Sequence, residues 1–334
     1  MGSVLAPANG KGAVIKLVAA GARELYLGFH DDAWTQAFGP DAPLNRLSGF
    51  GQTANSLSFE ELLDEIFALN QTAPALGVGP HDPISTYCVF NAARYSSDQV
   101  RYIADRHLPQ LADAGLTGVI LSGPELIPAA HANGLAAVAS TMCAIYHEDL
   151  ARLYRDCGMD RIILPRDVTL DAIEQIRAAV PELEMEVFLM RNGCIFADSH
   201  CMGLHKADQL ALCRTLREAP CWDQLSDLLA PGQEGENAAQ ENDRLYKDRF
   251  HLNTCGLCAL WRFEQLGVNA YKVVGRCDGL DDLCDDVELI ARNIRIAQGC
   301  SSEQEYLERM ERPEGLLELC ANQGLSCYYP DVRF

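Results

Sequence analysis

Residues 118–141 read GVILSGPELIPAAHANGLAAVAST, and this stretch decides the fold. A short apolar run, GVILSG from Gly118, is followed by an amphipathic segment that predicts a helix over 124–133. Gly134 then stands at the position where a left-handed residue ends a helix at least cost. A second apolar run, AVAST, starts at Ala137. Both runs are continuous rather than alternating, as expected of parallel strands buried on both faces.

The same unit recurs in both directions. VLAPAN from Val4, ELYLGF from Glu24 and STYCVFN from Ser85 precede it. RIILPRD from Arg161, MEVFLM from Met185 and AYKVVGR from Ala270 follow. Helices are predicted over 10–21, 58–68, 97–115, 147–157, 169–179, 255–266 and 282–298. Ser58 ahead of Glu60 and Glu61, and Thr169 ahead of Asp171 and Glu174, are start signals. Eight βα units predict an α/β protein with a closed (β/α)8, TIM-like barrel over 1–298. An open doubly wound sheet shares the local pattern, but no Gly-rich phosphate fingerprint follows the first strand.

Two stretches break the spacing. Residues 30–57, rich in Gly, Asn, Asp and Pro, read as a long loop. Residues 191–254 form an insertion after the seventh strand, too long for an ordinary βα loop. Within it, residues 230–243 are polar enough to predict a mobile excursion. Residues 299–334 read as a C-terminal tail with one helix.

Composition narrows the function. The chain has 334 residues, 48% of them hydrophobic, and a formal net charge of −20. A field of that sign repels phosphates at long range, against broad nucleic-acid binding, while leaving a local basic groove open. The opening MGSVLAPANGKG has neither a basic nor a long apolar signal region. No apolar run approaches the roughly 20 residues that span a bilayer. The expectation is a cytoplasmic protein without membrane insertion.

Fourteen cysteines are many for such a chain. In a reducing compartment they serve as thiols, metal ligands or catalytic groups. Cys88, Cys143 and Cys157 lie in apolar stretches and read as packing thiols. The remainder concentrate where the seventh strand ends, in RNGCIFADSHC with Cys194 and Cys201, then Cys213 and Cys221, then NTCGLC with Cys255 and Cys258. Thiolates at the catalytic end of a barrel suit zinc or an iron–sulfur cluster, and the spacing alone leaves both open.

These segments resemble the collagenase-like U-32 peptidase family. VLAPAN followed by GARELYLGF, CGMDRIILPRDVTLDAI, MEVFLMRNGCIFADSHC and GVNAYKVVGR follow the family's order over roughly residues 4–298. Ala139–Ser140–Thr141 resembles its Ser-Thr-Gln motif, with Met142 in place of Gln. Members include oxygen-independent hydroxylases of ubiquinone biosynthesis and RNA modification, associated with a 4Fe-4S cluster held by four cysteines. The resemblance implies that Cys194 and Cys201 are the first two ligands. Cys221, ahead of Cys213, is the third, and Cys255 or Cys258 the fourth. It departs from the family at Ala197–Asp198–Ser199 and in the acidic stretch 230–243.

Other strand-end residues each carry two readings. Lys272 and Arg276 form an anion clamp for a carboxylate or phosphate, or a barrel-interior salt bridge. Glu186 is an acid or base facing the lumen, or a structural partner of Lys272. Arg166 binds substrate or orders its loop through Asp167. His30, Asn91, Ser140 and Thr141 orient a substrate or satisfy loop backbone. His200 and His205 flank Cys201 as donors to cluster sulfur or as solvated residues.

The function expected is an iron–sulfur hydroxylase or related redox enzyme acting on a small molecule or an RNA nucleoside. An electron donor or a homologous partner subunit would complete it. The alternatives are a peptidase and a non-enzymatic cluster-binding partner. No Ser/His/Asp triad or HExxH motif is legible.

Overall fold

A computed structural model describes residues 2–72, 83–193, 199, 254–313 and 327–332. Eight parallel strands close into a barrel: β1 (Ser3–Ala8), β2 (Glu24–Leu27), β3 (Ser85–Phe90), β4 (Gly118–Leu121), β5 (Ala136–Ala139), β6 (Arg161–Ile163), β7 (Glu184–Met190) and β8 (Ala270–Val273). Every predicted strand is present. The closing pair is β1 with β8, in the register Ser3↔Ala270, Val4↔Tyr271 and Leu5↔Lys272. An open sheet is thereby excluded.

Register fixes which side chains face inward. Parallel partners share a face, so Glu24, Tyr26, Tyr87, Arg161, Glu186 and Lys272 line the lumen. The opposite faces of the strands pack under helices. Helix Leu280–Gln298 buries Leu283, Val287, Ile290 and Ile294. Each such burial stabilises by roughly 1.5–3 kcal/mol.

Local signals explain the boundaries. Ser58 Oγ accepts from the Glu61 N–H while Glu61 accepts from the Ser58 N–H, a reciprocal cap that starts helix Phe59–Thr72. Gly134 ends its helix at φ 72°. Helix 97–115 is not uniform: a π-turn over Ile103–His107 joins two α-helical pieces.

Residues 30–57 depart from the predicted loop. They contain helix Asp32–Phe38, capped by Asp31, and end in a strand Leu57–Ser58 that pairs with Phe29–His30. The helix is held by a distant residue. His107 Nε2 donates to Asp31 Oδ2 at 2.8 Å, and both groups are buried. Phe29, Trp34, Phe59, Phe90 and Tyr102 surround the imidazole. Among the packing thiols, Cys88 and Cys143 are buried, as expected. Cys157 is exposed, because it falls past the last turn of helix Glu148–Asp156.

Among the described residues the tail contains one helix, Glu303–Arg309, and residues 327–332 return to the barrel. Tyr329 Oη donates to Phe188 O on β7 at 2.9 Å, and Tyr328 Oη donates to Arg191 O. No described helix is long and apolar enough to cross a membrane. The polar stretch 230–243 lies outside the described residues.

Candidate active site at the barrel mouth

The lumen is charged from the floor upward. At the N-terminal ends of the strands, Arg161 pairs with Glu24 and, at 2.7 Å, with Glu184, and its guanidinium lies 4.9 Å from the Tyr87 ring centre. One layer higher, Glu186 Oε1 accepts from Lys272 Nζ at 2.7 Å, and Glu186 Oε2 is 3.8 Å from Arg161. The Lys272 ammonium also sits 3.9 Å from the Tyr26 ring centre. Burial pushes the Lys272 pKa down despite Glu186, with Arg166 and Arg276 adding repulsion. Glu186 and Lys272 therefore form the interior salt bridge foreseen as one of their two readings.

Arg276 leaves the end of β8 and is buried at the mouth. Its Nη1 donates to Asn55 Oδ1 at 3.1 Å and its Nη2 to Asn45 Oδ1 at 3.4 Å. Asn45 Nδ2 donates to Asn55 Oδ1 at 2.9 Å. Asn9 Nδ2 donates to the Arg276 carbonyl at 2.6 Å. Gly28 is required beneath them: a Cβ there would lie 1.9 Å from Arg276 Nη1. His30 Nδ1 donates to the Asn55 carbonyl at 2.9 Å, so it orders the same loop.

Arg166 stacks its guanidinium 4.1 Å from the Phe188 ring centre, and its Nε donates to Asn192 O at 3.1 Å. Asp167 accepts from Tyr146 Oη. On the other side of the mouth, Asn91 Nδ2 donates to Ser140 Oγ at 3.1 Å and Asn91 Oδ1 accepts from the Arg46 N–H. Ser140 Oγ also accepts from the Met142 N–H, capping the turn that carries Thr141. Asn91 and Ser140 thus serve loop backbone and each other. Thr141 makes no side-chain hydrogen bond with a described residue.

The two ends of the cysteine-rich insertion meet at this mouth. Met190 and Cys255 form an antiparallel bridge. The Arg191 N–H donates to Thr254 O at 2.8 Å and the Gly193 N–H to Thr254 Oγ1 at 3.0 Å. Arg191 and Asn192 take left-handed φ values of 64° and 44°, unusual outside glycine. Side chains hold them there: Arg191 pairs with Asp286, and Asn192 Nδ2 donates to Asp278 at 2.8 Å. Cys255 is buried and Cys258 half-buried, at the start of the turn and helix spanning 257–265. Cys255 Sγ accepts from the Leu257 N–H at 3.4 Å. Cys194, Cys201, Cys221, Cys213, His200 and His205 lie outside the described residues. Among the described residues, no three metal-ligating side chains converge on one point.

Sequence reasoning missed several participants. Asn9, Asn45 and Asn55 gave no signal, since loops are rich in asparagine. Cys327 is bridged in parallel to Cys255, through Tyr328 N–H to Cys255 O at 2.9 Å. Its place in the aromatic CYYPDV, a segment able to bury itself, was the only hint. Two His–carboxylate pairs occur among the described residues, His107–Asp31 and His131–Asp160. Neither imidazole has a Ser or Cys of the described residues hydrogen-bonded to it.

Several known proteins are similar to this chain. The tRNA hydroxylation protein P of Escherichia coli (strain K12) is 27% identical over 118 residues, 35% of this chain and 26% of that protein. Its counterpart in Helicobacter pylori (strain J99) is 24% identical over 173 residues, 49% of this chain and 37% of that protein. The matches thus span about a quarter to a third of the length of these relatives. A U32 peptidase of known structure is 12% identical with a TM-score of 0.49, over 82% of this chain and 93% of that one. The family model for peptidase family U32 matches residues 12–329, and the chain belongs to that family.

Proposed function

We propose that this chain is an iron–sulfur protein that carries out oxygen-independent hydroxylation, or a closely related redox reaction, on a nucleoside of tRNA. The observation that carries the reading is the junction at the barrel mouth. The bridge between Met190 and Cys255 brings the cysteine-bearing insertion back to the end of the strand that carries Glu186 and Phe188. The similarity to proteins named for tRNA hydroxylation supports the substrate class.

The described donors fit a thiolate-bound cluster. Cys255 and Cys258 sit on one turn, beside the backbone that leads to Cys194 and Cys201. Cys194, Cys201 and two of Cys221, Cys255 and Cys258 would hold the 4Fe-4S group, with zinc as the alternative occupant. When bound, the cluster supplies one-electron chemistry, fed by an electron donor or a homologous partner subunit. The chain's own residues do the rest. Thr141, on the turn that the Asn91–Ser140 pair braces, orients the substrate at one side of the mouth, and Arg166 over Phe188 offers a flat cationic face at the other. Glu186 and Lys272 seal the lumen beneath with paired charge. With a net charge of −20, the protein binds RNA through this local basic site rather than its overall field.

The test is nucleoside mass spectrometry on tRNA from cells that lack their own tRNA hydroxylation protein P and express this chain. A uridine heavier by one oxygen atom supports the reading. Unmodified uridine, with the chain present and loaded with cluster, contradicts it.

A further inference from the structure

Arg276 is a buried cation with no countercharge among the described residues. It is 6% exposed, and its only described side-chain partners are the neutral amide oxygens of Asn45 and Asn55. Each other buried cation of the lumen has an acid: Arg161 has Glu24, and Lys272 has Glu186. Asp278, two residues on from Arg276, is turned to Arg191 and Asn192. Arg46 acts repulsively on Arg276, and Arg166 on Lys272. Burying an ion without its opposite is costly, so a retained one is expected to meet a ligand of opposite sign.

The geometry supports the same conclusion. A guanidinium has five N–H donors. Two are used by described residues, and no nitrogen of Arg276 is among the buried atoms that lack a partner. Its Nε, which no described residue engages, is accordingly not fully buried. Gly28 leaves space for the guanidinium, since a Cβ there would meet Arg276 Nη1 at 1.9 Å and Asn55 Oδ1 at 2.3 Å. The two asparagines fix the planar fork without neutralising it. A fixed, uncompensated fork suits two oxygens of one anionic group.

We propose that Arg276, held by Asn45 and Asn55 over Gly28, is an oxyanion-binding subsite that grips a carboxylate or phosphate group of a molecule entering the barrel mouth. It rests on the reading of that mouth as the substrate site, but not on the cluster.

Thermal unfolding of the full chain, without cluster, tests it. The probes are inorganic phosphate and malonate, each against sodium chloride at matched ionic strength. The wild type is expected to show a saturable rise in Tm with one of them, on the order of 2–5 °C. A rise with phosphate alone assigns the subsite to a phosphate, and a rise with malonate alone to a carboxylate. Arg276→Gln should abolish the rise, and Arg276→Lys, which keeps the charge but loses the fork, should weaken binding roughly tenfold. If neither anion raises the wild-type Tm above the chloride control, the proposal is overturned, whatever the variants do. It is also overturned if Arg276→Gln responds like the wild type. A positive result together with an absence of iron or tRNA modification would sink the hydroxylase reading while leaving the subsite standing.

Discussion

Lys272 Nζ lies 2.7 Å from Glu186 Oε1 inside the barrel, with the Glu186 side chain 1% and the Lys272 side chain 9% exposed. Neither charge has water to fall back on. Removing Glu186 leaves the Lys272 ammonium buried without its acid, and removing Lys272 leaves Glu186 only the more distant Arg161 at 3.8 Å, losses of about 3–5 kcal/mol. Glu186→Gln and Lys272→Met should each lose stability of that size in urea unfolding. The double variant should lose clearly less than the two single losses added. Additive losses would show that the pair does not act as a unit.

The Asp31–His107 contact predicts a pH dependence. Burial alone would raise the Asp31 carboxyl, but the His107 hydrogen bond and the Ala33 N–H hold it below its ordinary value. The folded state therefore favours the carboxylate. Its contribution is present above about pH 4 and is lost as the pH falls through the depressed folded value. Asp31→Asn should be less stable near neutral pH by about 1–2 kcal/mol. It should also lose less stability than the wild type on acidification from roughly pH 5 to pH 2. Parallel acid limbs for the two proteins would contradict this.

How much of this was legible follows from range. The strands could be read because each is a short, continuous apolar run whose burial is a local property, as in GVILSG and AVAST. The pairing of Glu186 with Lys272 was legible as one of two options, since both fall on strands of known facing. Helix Asp32–Phe38 was not, because its anchor, His107, is 76 residues away from Asp31. The cradle of Arg276 was hidden for the same reason: Asn55 is 221 and Asn45 231 residues distant. The closeness of Cys255 and Cys258 was legible from their spacing, whereas Cys327 comes to Cys255 only because the tail folds back.

That tail predicts a third stability effect. Tyr329 Oη donates to Phe188 O at 2.9 Å from a buried position. Tyr329→Phe keeps the ring and removes the hydrogen bond, and should cost about 1 kcal/mol. The loss should appear first as faster hydrogen exchange over residues 327–332 and the turn at 191–193. Unchanged exchange at both places would mean that the tail does not support the junction.

The iron and acid-labile sulfide content of chain purified and reconstituted without oxygen probes the proposed cofactor. About four of each per wild-type chain are expected, with the brown colour of a cysteine-ligated cluster. Cys194→Ser and Cys201→Ser should abolish both, while Cys88→Ser, which alters a buried packing thiol, should leave them intact. A wild-type chain without iron, or Cys194 and Cys201 variants that retain full iron and sulfide, would contradict the assignment.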